Sequence, residues 1–176
     1  MIVSIGEVTT ALHATKAGLS AMYAGPVPQT EEGLQFLEFL IDNCILFDPV
    51  FCNSTQFTAD QLETVFSLNS DIRVVFIGGE CLDSAENRDL FYEALKDRKN
   101  IKVFINAASC QLEGRLSDIC CLVRMDKAEA EKLTSEQREM LGKRLLVTEN
   151  ASEDCDAKIA ASLHNNGNGD SITACL

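Results

Sequence analysis

Ile72-Arg73-Val74-Val75-Phe76-Ile77-Gly78-Gly79 is the stretch that decides the fold of this chain. All of its first six residues except Arg73 are β-branched or aromatic. Such an unbroken apolar run suits a strand covered on both faces, the situation in a parallel sheet. The same pattern recurs. Ile101-Lys102-Val103-Phe104-Ile105 runs into Asn106-Ala107-Ala108-Ser109, and Ile2-Val3-Ser4-Ile5 runs into Gly6. Each run ends in small residues and is followed by an amphipathic segment. Alternation of this kind predicts βαβ units with right-handed crossovers. The expected fold is a three-layer α/β domain: a mostly parallel sheet of five or six strands, helices on both faces, Rossmann-like or flavodoxin-like.

Working outward, the pattern predicts a helix over 8–23, with Val8, Leu12, Leu19 and Met22 on one stripe. Gly25-Pro26-Val27-Pro28 interrupts it, because proline removes a donor and restricts its predecessor. Thr30 caps a second helix, 31–41, whose apolar residues lie on nearly every side, so it is expected to be buried or to cover a partner surface. Residues 44–47 read as a strand. Thr58 and Gln61 form a capping box that opens a helix to about Leu68, and Asp83 and Glu86 open another that runs to Lys96. Residues 107–117 fit a short helix or a loop. A fifth strand is expected over 119–123 and a short sixth over 145–147, with a helix from Thr134 to Leu141 between them. Ser152 caps a last helix to about Leu163. The turn residues of 165–170 have no apolar anchor. The domain is therefore expected to span 1–164, with 165–176 as a flexible C-terminal tail.

The charge is −12 over 176 residues, with no long acidic run. That repels nucleic-acid phosphates over most of the surface and argues against a nucleic-acid partner. No apolar stretch approaches the roughly 20 residues of a membrane-spanning helix. No basic segment followed by an apolar one opens the chain, so no secretory signal is expected. The eight cysteines contain no C-x-x-C pair and no zinc spacing with histidine. Free thiols in a reducing, cytoplasmic compartment are the expectation.

In a parallel α/β sheet, ligands bind outside the carboxyl ends of the strands. That places the candidate ligand-binding residues. Gly6, Thr9 and Thr10 follow the first strand at a helix start, where orphan N–H groups and hydroxyls favour an anion. Gly78, Gly79 and Glu80 follow the third predicted strand; the glycines allow close backbone approach and Glu80 can accept sugar hydroxyls. Asn106 and Ser109 follow the fourth, where small residues leave room. Glu7, Asp48 and Glu80 all follow strands and would suit magnesium only if they converged; read separately they are solvated loop acids, and no metal site is assigned. G-x-G-x-x-G and G-x-x-x-x-G-K-[ST] are both absent. No G-x-S-x-G is present, His13 lies within a helix and His164 closes one, so no catalytic set or cofactor is identified. The reading is a non-catalytic binding or assembly module that acts through protein–protein contacts or homo-oligomerisation. The alternative is a small nucleotide- or sugar-nucleotide-handling enzyme, a transferase or hydrolase, using the strand-end crevice.

Overall fold

A computed structural model describes residues 1–48, 56–112 and 115–148, with Gly79 and Glu80 described by their backbone alone. Seven strands form one sheet: β1 (Ile2–Ile5), β2 (Ala21–Ala24), β3 (Leu46–Phe47), β4 (Val74–Ile77), β5 (Lys102–Asn106), β6 (Cys120–Asp126) and β7 (Leu145–Thr148). Their spatial order is β3-β2-β1-β4-β5-β6-β7. Every pairing is parallel. The three-layer α/β reading is correct, and the sheet is larger than the expected five or six strands.

The added strand is β2. Residues 8–23 were expected as one helix, but α1 spans only Val8–Lys16. Gly18 at φ +79° turns the chain back, and Ala21–Ala24 pairs with β1. A glycine just past the last helical turn is the usual helix stop.

Side chains alternate across each strand and sort the core into two halves. One face of β1 and β4 gives Val3, Ile5, Val75 and Ile77 to a core with Leu62, Phe66, Phe91 and Leu95. The last four come from α3 (Ala59–Leu68) and α4 (Ala85–Leu95). The other face gives Ile2, Val74 and Phe76 to a core with Ala11, Ala14 and Leu40. Those come from α1 and α2 (Glu31–Asp42). Ala11 and Ala14 carry only methyl groups, so α1 lies close on the sheet. On this face Phe76 meets Phe104 edge to face, with ring centroids 4.7 Å apart. The split places α1 and α2 on one side and α3 and α4 on the other, as right-handed crossovers in this strand order require.

The expected capping box at Thr58/Gln61 is formed, and Thr134, expected to open its helix, makes one with Gln137 as well; the expected Asp83/Glu86 box is not formed, because the helix starts one residue later. Ser84, with Asp83 just outside, caps α4 by accepting from the Asn87 N–H. The ambiguous stretch after β5 resolves into a 3₁₀ turn, Ser109–Leu112, and the short α5 (Leu116–Ile119). After β6 the charged residues Lys127–Glu131 form α6, capped by Asp126, and α7 (Ser135–Leu141) follows it. The expected helix over 152–163, the tail 165–176 and the domain boundary at 164 lie outside the described residues.

Of the two expectations for α2, burial or a face that covers a partner, burial holds only in part. Gly33 and Leu40 are buried, but Leu34, Phe39 and Ile41 remain exposed. Among the described residues no helix is long and apolar enough to cross a membrane. Cys44, Cys81, Cys110, Cys120 and Cys121 carry free thiols. Cys52, Cys155 and Cys175 lie outside the described residues. Burial pushes the Cys120 and Cys121 thiols up, so neither is a ready nucleophile.

Candidate functional site

The strand order reverses direction between β1 and β4. From β1 the chain moves outward through β2 to β3, then returns past β1 to β4. Helices therefore leave these neighbouring strands toward opposite faces, opening a crevice at their carboxyl ends.

Glycine makes the base of that crevice. Gly6 has φ +79°, and a Cβ there would lie 2.4 Å from the Cys81 Sγ and 2.8 Å from the Gly78 carbonyl oxygen. The Gly6 N–H donates to the Ala24 carbonyl at 3.2 Å and the Gly78 N–H to that of Ile5 at 3.1 Å, carrying the ladders one residue past the strands. A Cβ on Gly78 would lie 2.7 Å from Glu7 Oε2. The Glu7 carboxylate therefore stands over Gly78 at the mouth of the crevice. Its Oε1 accepts from the Thr9 hydroxyl at 3.0 Å. Its carbonyl accepts from the Ser4 hydroxyl, which fixes the turn into α1.

Gly6, Thr9 and Gly78 thus come together, with Glu7 as their centre. Thr10 does not join them: it is buried and its Oγ1 has no hydrogen-bond partner. The backbone of Gly79 and Glu80 opens a 3₁₀ turn, Gly79–Leu82. Ile77 registers with Ile105, so Asn106 stands beside Gly78 on the same edge. Ser109 is already engaged: its N–H and its hydroxyl both donate to Glu129 Oε2 at 2.9 Å. Among the described residues no three His, Cys, Asp or Glu side chains converge as a metal site.

Residues outside the sequence-based set hold this edge in place. On α4, Asn87 donates to the Cys81 carbonyl at 3.2 Å and accepts from the Phe57 N–H at 3.2 Å. Arg88 donates to the carbonyls of Leu82 at 2.6 Å and Asp83 at 3.0 Å. Gln111 donates to Asp83 Oδ1 at 2.5 Å, tying the β5 loop to the β4 loop. Arg124 of β6, the register partner of Asn106, is buried and donates to the Thr148 hydroxyl at 3.4 Å. It sets a positive charge near the strand ends. The ties from Asn87 to Phe57, Gln111 to Asp83 and Arg124 to Thr148 span 24 to 30 residues and leave no local signal.

Glu129 is the most strongly perturbed acid of this edge. The Lys132 ammonium and the two Ser109 donors stabilise its carboxylate and lower its pKa to about 2. A group whose folded pKa is depressed adds stability above its unfolded pKa and loses it as pH falls through the folded value. Glu129→Gln should therefore lower the melting temperature at pH 7, and the difference from wild type should close between about pH 4.5 and 2. Melting curves across that range check it; a gap that persists at pH 2 would show that the carboxylate charge is not what holds Ser109.

No protein-family model matches the sequence, and no curated protein matches it. Solved structures do match. Fructokinase from Halothermothrix orenii superposes with a TM-score of 0.72 at 12% identity, covering 99% of this chain and 96% of that one. Fructokinase with bound ATP from Xylella fastidiosa gives 0.71 at 10%, covering 96% and 75%. The tetrameric inhibited form of phosphofructokinase-2 from Escherichia coli gives 0.66 at 10%, covering 97% and 90%. The fold is thus shared with sugar kinases.

Proposed function

We propose that the chain is a small phosphoryl-transfer enzyme, which takes a sugar or nucleoside hydroxyl and a nucleoside triphosphate at the strand-end crevice. The observation that carries this reading is the glycine-lined junction of β1 and β4, set in a fold shared with sugar kinases. It favours the enzyme alternative over the non-catalytic module.

The chemistry asks for few groups. An acceptor hydroxyl attacks the terminal phosphorus, its proton passes to a base, and the bond to the leaving phosphate oxygen breaks. Glu7, poised over Gly78, can accept hydrogen bonds from a hydroxyl-rich acceptor. Arg124 supplies positive charge on the same edge. The stretch Asn166-Gly167-Asn168-Gly169-Asp170-Ser171 lies outside the described residues, and its composition suits the remaining tasks. Glycine pairs are residue types whose backbone N–H groups can serve phosphate oxygens, and an aspartate such as Asp170 is of the type that can receive the proton. Free thiols suit a cytoplasmic setting, which belongs to the same proposal.

The experiment is an ADP-release assay with magnesium ATP against a panel of hexoses, pentoses and nucleosides. Wild type is expected to turn over at least one acceptor. Asp170→Asn should lower that rate about a hundredfold, the lower range for a general base. Absence of turnover together with absence of any ATP-induced thermal shift would overturn the reading and leave the binding module.

A further inference from the structure

The α2 helix shows apolar side chains to solvent as well as to the sheet. Leu40 is fully buried, whereas Leu34 is 64% and Ile41 62% exposed. Leu34, Glu38 and Ile41 recur at helical spacing, so the two apolar residues share one outer stripe. Beside Leu34 opens a groove of about 460 Å³, lined by Val27, Pro28, Leu34 and Leu37 among others. One end of it is closely packed: a Cβ on Gly33 would fall 1.7 Å from the Pro28 carbonyl oxygen, so the first turn of α2 is pressed onto that backbone.

Charge identifies the occupant. The helix carries Glu31, Glu32, Glu38 and Asp42 and no lysine or arginine. Glu31, Glu38 and Asp42 therefore line one flank of the apolar stripe, and Leu37 and the groove lie on the other. A second copy docked through the same patch would bring these carboxylates against one another, and like charges set face to face are costly. Residues 149–176 of the chain carry five acids and one lysine, so they meet the same repulsion. From this charge pattern we infer that the α2 stripe and groove receive an amphipathic helix of a partner protein, whose apolar face is bordered by lysine and arginine. One apolar anchor enters the groove beside Leu34, others lie along Leu34 and Ile41, and the basic border meets Glu31, Glu38 and Asp42.

The test uses a fluorescein-labelled synthetic helix of about 20 residues, with leucines on one face and lysines elsewhere, followed by anisotropy against the full chain. Saturable binding is expected. It should weaken at least ~10-fold in Leu34→Gln/Ile41→Gln, and at least ~10-fold in Glu31→Lys/Glu38→Lys. These positions are exposed, so the melting temperature should hold in both. Glu136→Lys/Glu139→Lys on α7 makes the same change of charge away from α2 and should leave binding within ~2-fold. The same peptide with glutamate in place of lysine should not bind. Equal affinity in the Leu34→Gln/Ile41→Gln variant, or equal weakening by the α7 pair, would overturn the assignment. So would a dimer in sedimentation velocity that Leu34→Gln/Ile41→Gln dissociates, because the occupant would then be a second copy.

Discussion

Gly6→Ala is expected to destabilise the fold by about 2–5 kcal/mol, the sum of two separate costs. A residue with a side chain at positive φ is strained by about 1–2 kcal/mol. The new methyl group must also displace the Cys81 Sγ at 2.4 Å and the Gly78 carbonyl at 2.8 Å. Overpacking of that kind costs about 1–3 kcal/mol. Cys81 is 2% exposed and cannot swing into solvent, and Gly78 belongs to the sheet ladder. Urea denaturation measures the loss. Adding Cys81→Ala should return part of the packing cost and none of the backbone strain, so the double variant should be less destabilised than the two single losses summed. A loss under about 1 kcal/mol for Gly6→Ala would mean that β1 and β4 do not meet as tightly as these distances require.

Phe76→Ala should cost about 3–5 kcal/mol, the range for a large buried aromatic. Phe76 is 0% exposed and sits on β4, where it meets Phe104 at 75° between ring planes. Its removal takes away the central side chain of the α1-side core and leaves Phe104 without its edge-to-face partner. A domain stable by about 5–15 kcal/mol would lose a large part of its margin. Phe76→Leu keeps most of the volume and should cost less than half as much. Denaturant midpoints at a constant m-value decide it. Equal losses for alanine and leucine would show that ring geometry outweighs cavity volume at this site.

The strands easiest to read were those buried on both faces. β1, β4 and β5 are unbroken apolar runs because helices cover them above and below. β2 was hidden for the opposite reason. Ala21-Met22-Tyr23-Ala24 has no β-branched residue, and Met22 falls in step with the stripe of Val8, Leu12 and Leu19. The period of the helix ran on through a strand that needs only four small or adaptable side chains. Gly18 is the stop signal, and its positive φ is what turns the chain there. The strand-end edge was legible: Gly6, Gly78 and Asn106 stand side by side, as the ends of neighbouring parallel strands must. The ties of the site were not legible. Glu129 reaches back 20 residues to Ser109, and Gln111 reaches 28 to Asp83. In the sequence Glu7 reads as a loop acid, or as one of three that would hold magnesium if they converged; its placement over Gly78 depends on β1 and β4 being neighbours, and strand order leaves no mark in local pattern.

That neighbourhood sets the order in which the molecule can be assembled. β1, β2 and β3 belong to the first third of the chain and β4 to β7 to the rest, and only the β1–β4 register joins the two groups. Ile2 cannot meet Val74 until a loop of roughly seventy residues closes, an entropic cost of about 4 kcal/mol. At a ribosome adding about 5–20 residues per second, β1 emerges roughly 4–14 s before its partner has been made. Throughout that interval Ile2–Ile5 presents an unpaired edge in an apolar strand, the form most open to pairing with another chain. The junction that gives the finished protein its crevice is therefore also the hazard of its synthesis, and the step at which a nascent chain has most need of shelter.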